Sequence, residues 1–219
     1  MLKTAYCICG LGSDERIFGK LNWGSTTVHY LHWLMPLPNE SLPAYALRMS
    51  ERITEKNATL IGVSFGGMLS IEIAKVLAVQ KVILISSVKT HHEIPVWMKA
   101  SGKLKLDAIL PKGRLHAIRP LKLFEPVENY FLGAVTEEEK KLAHEYRKHV
   151  DPVYLKWAVH QVLNWKNEWL PDKLFHLHGT NDRIFPYPLV RPTHTIASAG
   201  HFLVFRHAKE VSAILEDII

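Results

Sequence analysis

Between Thr59 and Leu69 the chain reads TLIGVSFGGML: an apolar run, one serine held between glycines, then another apolar run. Before the turn, ATLIGVS is short, continuous and apolar, the pattern of a strand buried on both faces. After it, FGGMLSIEIAKVLAV is apolar around much of a helical circumference, through Met68, Leu69, Ile71, Ile73, Ala74, Val76 and Leu77, and reads as a deeply packed helix. Gly62 and Gly66 stand two residues either side of Ser64 and permit a sharp reversal from strand to helix, with Gly67 leaving extra room. A serine in such a turn projects above the sheet edge beside exposed backbone amides. Without that context, the same spacing occurs by chance in loops.

The strand and helix rhythm runs through the first half. TAYCICG (Thr4 to Gly10) and TTVHYLHW (Thr26 to Trp33) are β-prone, and KVILISS (Lys81 to Ser87) is another continuous apolar strand. LPAYALRMSERITEK, Leu42 to Lys56, has helical spacing at Leu42, Tyr45, Ala46, Met49 and Ile53. Buried strands separated by helices predict a parallel α/β sheet. From Val88 to about Leu170 the pattern turns helical, with a capping box at Thr136 and Glu139 and Asp151 as N-cap before Pro152. The α/β rhythm resumes in KLFHLHG (Lys173 to Gly179) and THTIASAGH (Thr193 to His201), and closes in an amphipathic helix within HAKEVSAILEDII. The expectation is one α/β domain over 1–219, with about six mostly parallel strands flanked by helices and a helical insertion at 88–170.

Composition removes other classes. Hydrophobic residues at 47% and charged residues at 22% are those of an ordinary globular chain, and no repeat of 20–50 residues is present, so disorder and solenoids drop out. No apolar run approaches the roughly 18 residues that cross a bilayer. The opening MLKTAYCICGLGS lacks a signal-peptide h-region and cleavage site, so a cytoplasmic protein without a membrane partner is expected. The two cysteines, Cys7 and Cys9, share one strand face at a spacing that poorly suits a mutual disulfide.

A serine hydroxyl is a poor nucleophile at neutral pH and needs a base, usually oriented by a third group. Thirteen histidines make the presence of one uninformative, so position decides. HGTND places Asp182 directly after one strand, and ASAGH places His201 directly after the next, both at the carboxyl edge where α/β sites form. Asp172 precedes its strand and belongs at the opposite edge, while His207 reads as part of the last helix. Donors for a developing oxyanion are expected from the backbone N–H of Leu11, in the loop CGLGSDERIF, and of Phe65 after the serine.

Together these residues resemble the α/β-hydrolase superfamily: the elbow Gly62-Val63-Ser64-Phe65-Gly66-Gly67, the HGTND segment with Asp182, Gly200-His201 before the last helix, and the loop Gly10-Leu11-Gly12, in the order Ser, Asp, His. The resemblance spans nearly the whole chain and makes 88–170 the variable cap. It implies hydrolysis of a small-molecule carboxylic ester or thioester without a cofactor. Many members carry a histidine just before the first glycine of the oxyanion loop, where this chain has Cys9, which implies a differently braced loop. The same triad also serves amidases, carbon–carbon bond hydrolases and acyltransferases, and a binding protein could keep it without turnover.

Other readings of these residues have less behind them. His176 and His178 have same-face spacing, but a third ligand at recognisable spacing is missing, so no metal is expected. Gly10-Leu11-Gly12 lacks the third glycine of a dinucleotide loop, where Glu15 stands, and no acid ends the second strand. The net charge of +6 is concentrated in Lys99, Lys103, Lys105, Lys112, Arg114, Arg119 and Lys122, against Asp107 alone. Such a run is ordinarily a solvated face; its functional reading is guidance of an anionic substrate or an acidic partner, with no nucleic-acid motif beside it. Trp97, Trp157, Trp165 and Trp169 are expected in the core of the cap, some of them against an acyl pocket.

Overall fold

The computed structural model of the chain describes residues 3–104 and 121–219, the side chains of 121–123 excepted. Six strands form one sheet: β1 (Thr4–Ile8), β2 (Thr27–Tyr30), β3 (Thr59–Val63), β4 (Lys81–Ile85), β5 (Leu174–Gly179) and β6 (His194–Ile196). Their order is β2-β1-β3-β4-β5-β6 and every pairing is parallel. After β2 the chain returns to the far side of β1, so the winding reverses between β1 and β3. The crevice at the carboxyl ends of those two strands is where an open α/β sheet places a ligand.

Alternate residues of the central strands feed two separate cores, as a period of two requires. Tyr6, Ile8, Leu60 and Leu84 pack on one face with helices α1 (Leu42–Ser50) and α2 (Phe65–Ala74). Ala5, Cys7, Ile61, Ile83 and Leu177 pack on the other, against Phe18 and the C-terminal helices α7 (Leu203–Arg206) and α8 (Ala208–Ile218). Between β4 and β5 lie α3 (Val96–Lys103), α4 (Leu121–Leu132), α5 (Glu137–His149) and α6 (Pro152–Asn164). The capping box of Thr136 and Glu139 and the Asp151 cap before Pro152 both form, which is why α5 and α6 start where the sequence says. No helix among the described residues is long and apolar enough to cross a membrane.

Three elements are shorter than their sequence pattern. The pattern Leu42 to Lys56 ends as a helix at Ser50. There Ser50 Oγ donates to the Leu47 carbonyl, Ile53 N–H donates to Ser50, and Thr54 N–H donates to the Tyr6 hydroxyl at 3.2 Å. A tight turn, not another helical turn, carries Ile53 into the core. The run after Ser64 ceases to be helical at Ala74, and Val76 is half exposed. Thr193 to His201 is strand only over His194–Ile196, after which Ser198 takes φ 60° and the chain loops to His201.

The tryptophans also divide. Trp157 donates from Nε1 to the Glu40 carbonyl at 2.7 Å and Trp165 donates to buried Glu72 at 2.7 Å, tying α6 and its end onto α1 and α2. Trp97 and Trp169 are exposed instead of buried in a core.

Candidate active site

Ser64 joins β3 to α2 with φ 53° and ψ −120°. A side chain held in that region costs about 1–3 kcal/mol and persists only where its surroundings enforce it. Here they do. Ser64 N–H donates to the Ile85 carbonyl at 2.9 Å, and Ser87 Oγ donates to the Ser64 carbonyl at 2.7 Å, so β4 and the residues after it hold both sides of the turn. Close approach makes glycine necessary at 66, where a Cβ would meet the carbonyl oxygens of Ile8 and Cys9, and at 62, where it would meet the backbone of Gly66 and Gly67.

The structure brings the three side chains selected from the sequence into one hydrogen-bonded line. Ser64 Oγ lies 2.9 Å from His201 Nε2, and His201 Nδ1 lies 2.8 Å from Asp182 Oδ2. The other Asp182 oxygen accepts the N–H groups of Ile184 and Phe185, each at 2.9 Å. Burial alone would push this carboxyl up, but the charge and hydrogen bond of His201, with His178 and the Phe185 N–H, hold it below its ordinary value. The carboxylate therefore remains an acceptor and keeps the proton of His201 on Nδ1. Nε2 is left with its lone pair toward the serine hydroxyl, the arrangement that can take its proton.

Phe65 is the first residue of α2, and a helix's first N–H groups have no acceptor within the helix. Leu11 follows β1 and lines the same cavity as Ser64. A Cβ on Gly10 would lie 3.5 Å from that of Ser64, so the loop runs directly beside the elbow. Its bracing differs from a histidine's: the Gly10 carbonyl accepts from Ser13 N–H at 3.1 Å, Ser13 Oγ at 3.0 Å and Trp33 Nε1 at 3.3 Å. Trp33 also stacks on Phe65 with ring centroids 5.3 Å apart. Cys9 sits buried beneath with its thiol titration pushed up by burial, and both cysteines are free.

The elbow opens on a cavity of about 500 Å³ lined by Ser64 and His201 and walled by Leu11, Met98, Phe131, Val159 and Phe185 among other apolar side chains. Its charged wall is the pair Glu128 and Arg147, 3.3 Å apart. None of the four insertion tryptophans lines it. Asp172 lies before β5, away from the crevice, and His207 precedes α8 beside Glu210. Of the basic run, Lys99 and Lys103 stand on α3; Lys105, Lys112, Arg114 and Arg119 lie outside the described residues, as does the side chain of Lys122.

Neither a protein-family model nor a curated protein matches the sequence. Solved structures do match the fold. A lipase-esterase related protein from Clostridium acetobutylicum is 18% identical, with TM-score 0.67 over 99% of this chain and 94% of that one. A hydrolase from Pseudomonas aeruginosa is 12% identical, with TM-score 0.74 over 99% and 89%. An α/β hydrolase fold protein from Burkholderia ambifaria is 12% identical, with TM-score 0.71 over 99% and 91%. This chain has the α/β-hydrolase fold. Within that fold, Ser87 and Trp33 are the bracing residues that sequence reading passed over. Ser87 had a signal, a small polar residue just past the carboxyl end of the strand beside the elbow, whereas Trp33 reached the loop only through folding.

His176 and His178, the pair with metal-like spacing, are fully buried on β5 with ring centroids 5.1 Å apart. Nε2 of His178 lies 2.8 Å from the Phe185 carbonyl and 3.5 Å from Asp182 Oδ2. Burial, then His178 and Lys89, pushes the His176 titration well below its ordinary range; burial also lowers that of His178. His176 is therefore held neutral when folded and His178 is biased the same way, yet both take a proton when unfolded below about pH 6.5. Stability is accordingly complete above that pH and falls on acidification, by up to about 1.4 kcal/mol per pH unit for each ring. Urea unfolding at pH 7.5, 6.0 and 5.0 is expected to show this decline, and His176→Leu to flatten it; an unchanged slope in that variant would contradict the assignment.

Proposed function

We propose that this α/β-hydrolase-fold chain is a serine hydrolase of carboxylic esters or thioesters. The observation that carries the reading is the continuous line from Ser64 Oγ through His201 to Asp182 at 2.9 and 2.8 Å, at a serine held in strained backbone. His201 Nε2 takes the Ser64 proton as Oγ attacks the acyl carbonyl, while the N–H groups of Leu11 and Phe65 hold the oxyanion. The tetrahedral adduct collapses, the bond to the leaving oxygen or sulfur breaks, and the proton on Nε2 passes to that atom. Water enters, gives its proton to Nε2 and attacks the acyl-enzyme; the proton then returns to Ser64 Oγ as the acid departs. Asp182 stabilises the imidazolium in both halves.

The apolar cavity walls suit an acyl group of small to medium size. Segment 88–170 acts as the cap: α3 to α6 supply much of the wall and exclude water from the elbow. No residue role here requires a cofactor. The test is a fluorophosphonate probe read by intact mass on the wild-type chain, Ser64→Ala and His201→Ala, beside p-nitrophenyl acetate and butyrate hydrolysis. One adduct per wild-type chain, lost in both variants and accompanied by multiple turnover, is the expected result. A folded wild-type chain that neither labels nor turns over would overturn the reading.

A further inference from the structure

Away from the elbow, His91 and His92 leave the end of β4 and Glu168 leads into β5, so both stems of the helical insertion meet there. Glu168 Oε1 lies 3.8 Å from His91 Nδ1 and 3.6 Å from His92 Nε2, and the two rings are 3.9 Å apart between centroids. Zinc bonds of about 2.0–2.2 Å in a tetrahedron place neighbouring ligand atoms roughly 3.3–3.5 Å apart. Glu168 Oε1 stands within a few tenths of an ångström of that spacing from each imidazole nitrogen, all three ligand atoms lie within 4.8 Å of one another, and the exposure of His92 and Glu168 leaves a fourth position for water.

The backbone beneath them is held in place. Asn167, itself buried, donates from Nδ2 to the Lys89 carbonyl at 2.9 Å and to the Trp169 carbonyl at 2.7 Å, and its own carbonyl accepts the His91 N–H at 2.9 Å. Lys89 N–H in turn donates to Glu93 at 2.7 Å. A braced backbone fixes where the three residues stand, while the exposed His92 and Glu168 side chains are ordered only when the ion arrives.

We propose that His91, His92 and Glu168 bind one divalent cation of the zinc class and so join the two stems of the insertion. Two imidazoles and one carboxylate with an open position suit zinc and its transition-metal neighbours and offer too few oxygens for calcium or magnesium. His91 Nδ1 also lies 3.2 Å from the Asn167 carbonyl oxygen, so a proton donated there must shift to Nε2 before Nδ1 can take the ion. Lys99, whose ammonium is 3.5 Å from the His91 carbonyl, places an opposing charge nearby and limits the affinity.

Calorimetric titration of the full chain with zinc chloride at pH 7.5 tests this without reference to hydrolysis. One ion per chain is expected, undisturbed by excess magnesium, with a higher Tm when loaded. His92→Ala and Glu168→Gln alter exposed side chains, so folding should be unaffected, and each should weaken binding at least about tenfold, the lower end of what changes to a metal's supporting residues cost. No saturable binding, or equal binding in both variants, which would place zinc on other histidines, would overturn the proposal.

Discussion

Ser64→Ala and His201→Ala are each expected to lower kcat for an activated ester by about 10⁶, and the double variant by scarcely more, because the two groups act in one proton transfer. Asp182→Asn is expected to cost about 10⁴ while leaving the chain folded. The geometry gives the reason. An asparagine can keep one oxygen toward the Ile184 and Phe185 N–H groups, both now bonded to Oδ1, but it turns an amide donor toward His201 Nδ1. His201 must then accept at Nδ1 and carry its proton on Nε2, where it cannot take the Ser64 proton. Steady-state kinetics on the three single variants and the double variant check this. A double variant whose loss is the product of the single losses would mean that Ser64 and His201 do not act together.

Gly66→Ala is expected to destabilise the chain by about 3 kcal/mol or more, at the upper end of what overpacking costs. The added methyl would meet the carbonyl oxygens of Ile8 and Cys9, backbone at the end of a strand paired on both sides, which cannot swing aside as a side chain would. Relief requires α2 to move away from β1, and that shift carries Ser64 and the Phe65 N–H with it, so turnover should fall as well. Gly24 supplies the comparison: its φ is +54° but nothing lies within 4 Å of a Cβ there. Gly24→Ala should therefore cost only the roughly 1–2 kcal/mol of a left-handed backbone, without loss of activity. Urea unfolding of both variants distinguishes them, and a Gly66→Ala chain as stable as the wild type would show that the elbow is less tightly closed than its contacts indicate.

Much of the fold and of the candidate site was legible in the chain because the signals are local. Continuous apolar runs at β3 and β4 mark strands covered on both faces, and the caps at Thr136 and Asp151 mark helix starts within one turn of sequence. Asp182 and His201 could be chosen from many acids and histidines because each lies in the loop that leaves a strand, and in a parallel sheet every strand ends at the same edge. The elbow is local too, since its glycine spacing answers to contacts between residues a few positions apart and to one neighbouring strand.

The rest depended on groups far apart in sequence. Whether the Leu42 helix continued past Ser50 was decided by the Tyr6 hydroxyl waiting for Thr54 and by a core able to receive Ile53 from a turn. The brace on the Gly10-Leu11-Gly12 loop came from Trp33, and the approach of His91 and His92 to Glu168 came from the hydrogen bonds of Asn167 to His91 and Lys89. By itself the sequence determined the parallel α/β order, the turn at Ser64 between strand and helix, and the positions of Asp182 and His201 in loops after strands, because period, spacing and capping act within a few residues. Only the tertiary structure decided the hydrogen-bonded line among those three, the shape of the apolar cavity and the meeting of the insertion's stems, because distances between segments are set by packing the whole chain at once.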